Sequence, residues 1–139
     1  GIADSVKLHG NLQHRAALAE LAKADVLAFP SIREFGGGVV LEAMALGVVP
    51  IVVDYAGPGE IVGKDVGMAV PLGDRQSIVQ SMTAALGKAA DDPARLSAMS
   101  RAGRRLVEAR FTWAAKAGQI AEVYDWVLGD RAAMPDFSI

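Results

Sequence analysis

Apolar positions along this chain fall into runs of two kinds. Asp25-Val26-Leu27-Ala28-Phe29 and Val49-Pro50-Ile51-Val52-Val53-Asp54 are apolar on consecutive positions. Such runs read as strands covered on both faces, as in a parallel sheet under helices. Gly67-Met68-Ala69-Val70-Pro71 is a shorter version, and Ser5-Val6-Lys7-Leu8-His9 alternates and reads as the first of four strands, ended by Gly10. Between and after them the spacing turns helical. A helix across Gln13 to Lys23 places Ala17, Leu18, Leu21 and Ala22 on one face. Arg75 to about Ala89 points Ile78, Met82, Ala85 and Leu86 inward, and the helix up to Arg110 does so with Leu96, Met99, Gly103, Leu106 and Val107. A last helix, to about Leu128, carries a stripe that includes Ile120, Val123, Tyr124 and Val127.

The punctuation agrees with these bounds. Asn11 offers a cap to the first helix, Gly73-Asp74 to the helix at Arg75, and Asp92 followed by Pro93 to the next. Phe111-Thr112-Trp113 opens the last helix. Gly38 to Leu46 fits neither template, being apolar almost all round, and Gly47 is its natural stop. Gly57-Pro58-Gly59-Glu60 turns into a short helix with Ile61 and Val62. Strands alternating with helices over short connections predict an α/β fold with a doubly wound, mostly parallel, Rossmann-like sheet. The folded body is expected over residues 1–128, with 129–139 as a tail.

With 52% apolar and 22% charged residues, the 139-residue chain is a folded body of about one domain. Its net charge of -2 provides no field toward nucleic acid, and it has no cysteine for a disulfide, a thiolate or a Cys-type zinc site. No apolar run approaches the ~18 residues of a membrane span, so a cytoplasmic location is expected. His9 and His14 read as surface or strand-end residues, and Trp113, Tyr124 and Trp126 as packing against the sheet. Arg101, Arg104, Arg105 and Arg110, with Glu108 among them, read as a solvated helix face.

The chemistry gathers between Phe29 and Val62. Glu34 and Glu42 have seven residues between them, Gly36, Gly37 and Gly38 included. A glycine loop that leaves a strand and opens a helix presents backbone N–H groups and the positive helix end to an anion. Gly37, Gly38 and Val39 are the amides placed for a phosphate; alternatively, the glycines serve only a tight turn. The Gly-x-Gly-x-x-Gly fingerprint of dinucleotide sites is absent, since Leu41 stands three beyond Gly38. Glu42 is the oddity, a carboxylate in an apolar run that has to be buried. It requires a polar partner, either an Arg or Lys side chain or a ligand hydroxyl. At the carboxyl edge of the sheet a carboxylate accepts two hydrogen bonds from a vicinal diol such as ribose.

Pro30-Ser31, Glu34, Glu42-Ala43-Met44-Ala45, Gly47, Pro50-Ile51-Val52 and Gly57 through Glu60-Ile61-Val62 together resemble the donor-site signature of glycosyltransferase family 4. Val6 to Leu12, Ala24 to Leu27 and the helix from Phe111 resemble flanking segments of that family. The resemblance implies a retaining enzyme of GT-B fold, two Rossmann-like domains facing across a cleft, of which this chain is the incomplete C-terminal one. It implies that Glu42 binds the ribose hydroxyls of a nucleoside diphosphate sugar and that Glu34 lies near the donor sugar as the catalytic carboxylate. The stretch Gly36, Gly37, Gly38 and Val39 would hold the diphosphate through its amides without a metal, and Gly10, Asn11 and Leu12 would flank the base.

Two departures stand out. Where the family writes Glu-Pro-Phe-Gly-Leu, this chain has Glu34-Phe35-Gly36-Gly37-Gly38, with Gly37 in the place of the family glycine. The acceptor domain, and the strands that bring Arg and Lys to the diphosphate, would precede Gly1. The expected partners are thus a nucleotide sugar and an N-terminal acceptor domain of the same protein, with no nucleic acid and no integral membrane segment. For the full-length protein, peripheral attachment to the inner membrane face is a further expectation, and the fragment alone is expected to be inactive. Two rival readings are a non-catalytic nucleotide-binding or regulatory module and a nucleotide-sugar epimerase of the same fold.

Overall fold

A computed structural model of the chain describes residues 1–137. Three strands, β1 (Val26–Phe29), β2 (Val49–Val53) and β3 (Met68–Val70), form a parallel sheet in the order β1-β2-β3. The register sets Val26 beside Val49 and Ile51 beside Met68. Helices α1 (His14–Leu21), α2 (Gly38–Leu46), α3 (Ala56–Ile61), α4 (Arg75–Asp91), α5 (Pro93–Arg110) and α6 (Trp113–Leu128) complete the described structure.

Every residue of β2 is buried, and its pleat divides the core in two. Val52 faces a cluster with Val40, Met44, Ile61, Val62 and Val66, closed by Leu106 and Val107 of α5. Ile51 and Val53 face the other way, onto Val70, Ile78, Met82 and Ala85 under α4. Helices therefore lie on both faces of the sheet, the doubly wound α/β arrangement expected. Each large side chain buried in this way contributes about 1.5–3 kcal/mol.

Local chemistry sets the helix ends. Asp74 Oδ1 accepts from the Ser77 N–H at 2.8 Å, Asp92 Oδ1 from the Arg95 N–H at 2.9 Å, and Thr112 Oγ1 from the Ala115 N–H at 3.1 Å. α2 stops at Gly47, whose φ of 82° takes the left-handed turn that suits glycine. Two α5 side chains then meet the carbonyls left over there. Ser100 Oγ donates to Gly47 O at 2.6 Å and Arg104 Nε to Ala45 O at 3.2 Å. Arg104 is exposed, as expected of its helix face, and from there it also tethers α5 to α2.

Four expectations are corrected. Ser5–His9 is not a strand: a short 3-10 turn covers Ala3–Ser5, and residues 1–10 are exposed. Alternation identifies a face, but a strand also needs a neighbour, and β1 offers its free edge to none among the described residues. Asn11 does not cap α1; Gln13 holds that position and makes no side-chain bond. Leu86 is 42% exposed, and the buried side of α4 is completed by Ala89. The aromatic side chains of α6 do not pack on the sheet: Trp113 is 92% exposed and Tyr124 63%, because α6 lies against α5 and away from the strands. Beyond Gly129 the chain turns back along α6, with Arg131 paired to Glu122. Ser138 and Ile139, the end of the expected tail, lie outside the described residues.

Candidate functional site

In an open parallel sheet, the loops that leave the carboxyl ends of neighbouring strands converge on one edge. Here the loop from β1 to α2 and the turn from β2 to α3 meet there and lock together. The Gly57 N–H donates to Phe35 O at 3.2 Å. A Cβ on Gly57 would stand 2.4 Å from that same oxygen, so only glycine fits. One residue earlier, Ala56 has φ 49°, an uncommon conformation for a residue with a Cβ. Of the three consecutive glycines, only Gly37 has a positive φ, and a Cβ there would lie 3.1 Å from Pro58 Cγ. Gly36 and Gly38 have open space around them. The turn itself thus requires glycine only at Gly37, the position aligned with the family glycine.

Glu34 folds back over this loop. Its Oε1 accepts from the Phe35 N–H at 3.2 Å and from the Gly37 N–H at 3.4 Å. The Gly37 amide is thereby engaged within the protein. Gly38 and Val39 open α2, and their N–H groups meet no acceptor among the described residues. They are two of the orphan donors that every helix N-terminus presents, here beside the positive end of the helix dipole.

Glu42 lies one turn further along α2. The expectation of a buried carboxylate is not met: α2 buries Val40, Ala43 and Met44, and its other side leaves the Glu42 side chain 38% exposed. Nor is its partner an Arg or a Lys. Glu42 Oε1 lies 2.8 Å from Nε2 of His14, whose side chain is 72% exposed in the first turn of α1. Oε2 has no hydrogen bond among the described residues. His14 is a surface residue, as its isolation in the sequence suggested, yet it is also the contact joining α1 to this edge. It stands two residues after Leu12, so the pairing carries the segment Gly10, Asn11 and Leu12 to the Glu42 side of the edge. Gly10 has φ 66° and Leu12 is half-buried. No hydrogen bond joins Glu34 to Glu42 among the described residues; they serve the loop and the α1 contact separately.

Three residues at this edge escaped the sequence reading. His14 is 28 positions from Glu42, and the one clue was that an acid in an apolar helix needs company. Phe35, 94% exposed at the loop, and Tyr55, 45% exposed beside Ala56, carry no signal in the sequence that places them at this edge. No group of three or more His, Cys, Asp or Glu side chains among the described residues is arranged to hold a metal ion.

The sequence family described as Glycosyl transferases group 1 matches residues 1–105. The chain belongs to this family. Among its relatives is a GDP-mannose-dependent monoacylated alpha-(1-6)-phosphatidylinositol monomannoside mannosyltransferase of Corynebacterium glutamicum. It is 36% identical over 81% of this chain and 30% of its own length. An MMP alpha-(1->4)-mannosyltransferase of Mycolicibacterium hassiacum is 35% identical over 96% of the chain and 32% of its length. A glycogen synthase of Mycobacterium tuberculosis is 34% identical over 83% and 27%, respectively. A solved structure of sucrose-phosphate synthase from Thermosynechococcus elongatus superposes with a TM-score of 0.74 at 27% identity, covering 94% of this chain and 32% of that one. The chain thus spans 27% to 32% of these relatives. The fold is that of a Rossmann-like domain of the GT-B type, and no described helix is long and apolar enough to cross a membrane.

Proposed function

We propose that this chain is the donor-binding part of a retaining glycosyltransferase that moves a sugar from a nucleoside diphosphate sugar to an acceptor. The observation that carries the reading is the pair of open amides at Gly38 and Val39, held at the carboxyl edge one turn from an accessible carboxylate. A diphosphate meets those N–H groups and the helix end, which stabilise the charge growing on it as the glycosidic bond breaks. The ribose diol meets Glu42, whose Oε2 has no hydrogen bond among the described residues; a second hydroxyl on Oε1 would replace or share His14. Glu34 stands over the loop as the carboxylate near the donor sugar, where positive charge develops at the anomeric carbon. Gly10, Asn11 and Leu12 flank the base on the α1 side.

In this reading the leaving group is held by amides, so transfer by the intact protein is expected to survive a chelator. The acceptor and the cations for the second phosphate come from polypeptide other than this chain, and the chain alone is not expected to turn over. Because the corynebacterial relative is named GDP-mannose-dependent, GDP is the first nucleotide to try, with UDP and ADP beside it.

The test is Glu42→Gln, read by titrating GDP, UDP and ADP against thermal unfolding. The parent chain should gain about 2.7 kcal/mol at a nucleotide concentration 100 times the dissociation constant. The variant should lose about 1–3 kcal/mol of binding while keeping its fold, because a hydroxyl loses a charged acceptor. A variant that unfolds, or one that binds as the parent does, places Glu42 in the architecture and ends the ribose assignment. For the intact protein, sugar transfer against epimerisation of the donor separates the two enzyme readings, and nucleotide binding with neither activity favours a regulatory module.

A further inference from the structure

Away from the carboxyl-edge loops, the free edge of β3 borders a cleft of about 450 Å³. Its lining runs along residues 67–71 and across to α4 and the start of α5. Lys64, Lys88 and Arg95 are the charged side chains that line it, and no acidic one does. The chain carries a net charge of -2, so three cations with no counter-charge depart from its average. A second cleft, of about 530 Å³, shares Lys64 and Arg95 and adds Arg105, with Asp65 as its one acid. Asp92 lies close by, but its Oδ1 accepts from the Arg95 N–H. None of the four cations makes an ion pair among the described residues.

The strand contributes a donor as well. Val70 O accepts from the Asp54 N–H, so Val70 faces β2. Strand alternation then turns the N–H and C=O of Ala69 outward, toward the free edge and the cleft. An outward amide in a cleft lined by three cations that make no ion pair among the described residues matches the oxygen-rich, multiply charged face of a phosphate or diphosphate group.

The geometry points to a second anion site on this chain, formed by Lys64, Lys88, Arg95 and the Ala69 amide, that takes a phosphate-bearing ligand. Glu34, Gly38, Val39 and Glu42 line neither cleft, so the site is distinct from the donor-binding edge. The same phosphate chemistry is offered by a free phosphorylated metabolite and by an anionic lipid headgroup.

The experiment is an amide NMR titration of the 139-residue chain with inorganic pyrophosphate, beside sedimentation with vesicles of phosphatidylglycerol or of phosphatidylcholine alone. Saturable shifts at Lys64, Ala69, Lys88 and Arg95 are expected. In the Lys88→Gln/Arg95→Gln double variant the affinity should fall at least about tenfold, each lost charged contact being of that order. All four cations are exposed, so the variant keeps its fold. Pyrophosphate binding without sedimentation identifies a free phosphorylated ligand. Sedimentation with phosphatidylglycerol alone, lost in the variant, identifies a lipid headgroup. The site is overturned by shifts confined to Gly38 and Val39, by shifts that sodium chloride reproduces at matched ionic strength, or by equal binding in parent and variant.

Discussion

α2 and α6 both carry Ala and Val among many apolar residues, yet they behave as opposites in the fold. α2 shows almost no periodicity in its apolar residues, and it is the helix with Val40 and Ala43 fully buried and Met44 1% exposed. α6 carries an ordered stripe of Ile120, Val123, Tyr124 and Val127, with Trp113 at its start, and buries none of its residues. What decides burial is what lies opposite. α2 is pressed between α5 and the sheet, while α6 makes its main packing contact with α5 and none of that extent with the strands. The difference has a functional side. The proposed donor-binding edge hangs on α2, whose N-terminal amides and Glu42 are positioned by a well-packed element. α6 holds none of the proposed site residues.

The contrast is broken most directly at Met44. Met44→Ala removes a core side chain that touches both the sheet side and Gly103 of α5. It should cost about 2–5 kcal/mol in urea unfolding, as large-to-small changes in packed cores do. A loss below about 1 kcal/mol would mean that α2 is no better anchored than α6.

Gly57→Ala sharpens the picture from the loop side. The added methyl would collide with Phe35 O, and the strand-to-helix turn must move to admit it. A loss of about 1–3 kcal/mol is expected, the range for overpacked sites. Nucleotide binding should weaken with it, since the displaced loop carries Gly37 and Gly38. If stability falls and nucleotide affinity does not, the two glycine turns are not one unit.

How much of this was open to a reader of the sequence divides along the same line. Asp74, Asp92, Thr112 and Gly47 announce helix ends because a cap or a left-handed turn is a local event, settled within a few residues. The strand β2 and the run Gly38–Leu46 were legible for a similar reason, since buried runs cannot be placed elsewhere. Val6 and Leu8 misled because alternation describes one strand and says nothing about a neighbour. Glu42 misled more instructively. Its apolar surroundings in sequence implied burial, but an α-helix has another side, and on that side a carboxylate can meet His14 in partial solvent. The tie between Arg104 and Ala45 spans 59 positions and was invisible among the other arginines of its helix.

A smaller effect is expected at Asp74, which belongs to α4 on the face opposite α2. Hydrogen bonds from the Ser77 amide, and then from its hydroxyl, hold its carboxyl below the ordinary aspartate value. A depressed carboxyl stabilises the fold above its unfolded-state value, and the contribution is lost as the pH falls through the lowered folded value. Glu20, lowered chiefly by Lys23, acts with the same sign. Asp74→Asn keeps the cap but cannot titrate. Unfolding midpoints at pH 7 and at about pH 3, below the usual aspartate pKa, should therefore differ less in the variant than in the parent. An unchanged pH dependence would remove Asp74 from the acid sensitivity of the chain.

The smallest expected effect belongs to α6 itself. Trp113→Ala and Tyr124→Ala remove large aromatic groups, yet each ring is mostly in solvent already, and alanine favours the helix. Each change should therefore stay within about 0.5 kcal/mol of the parent chain in urea unfolding. Met44→Ala in α2 is expected to cost about 2–5 kcal/mol, so near-silence in α6 is the positive result. A loss above about 1 kcal/mol at either position would show that the stripe is covered in solution, by this chain or by a second copy. Repeating the measurement over a hundredfold range of protein concentration separates those cases, because cover by another copy makes stability rise with concentration and cover from within does not.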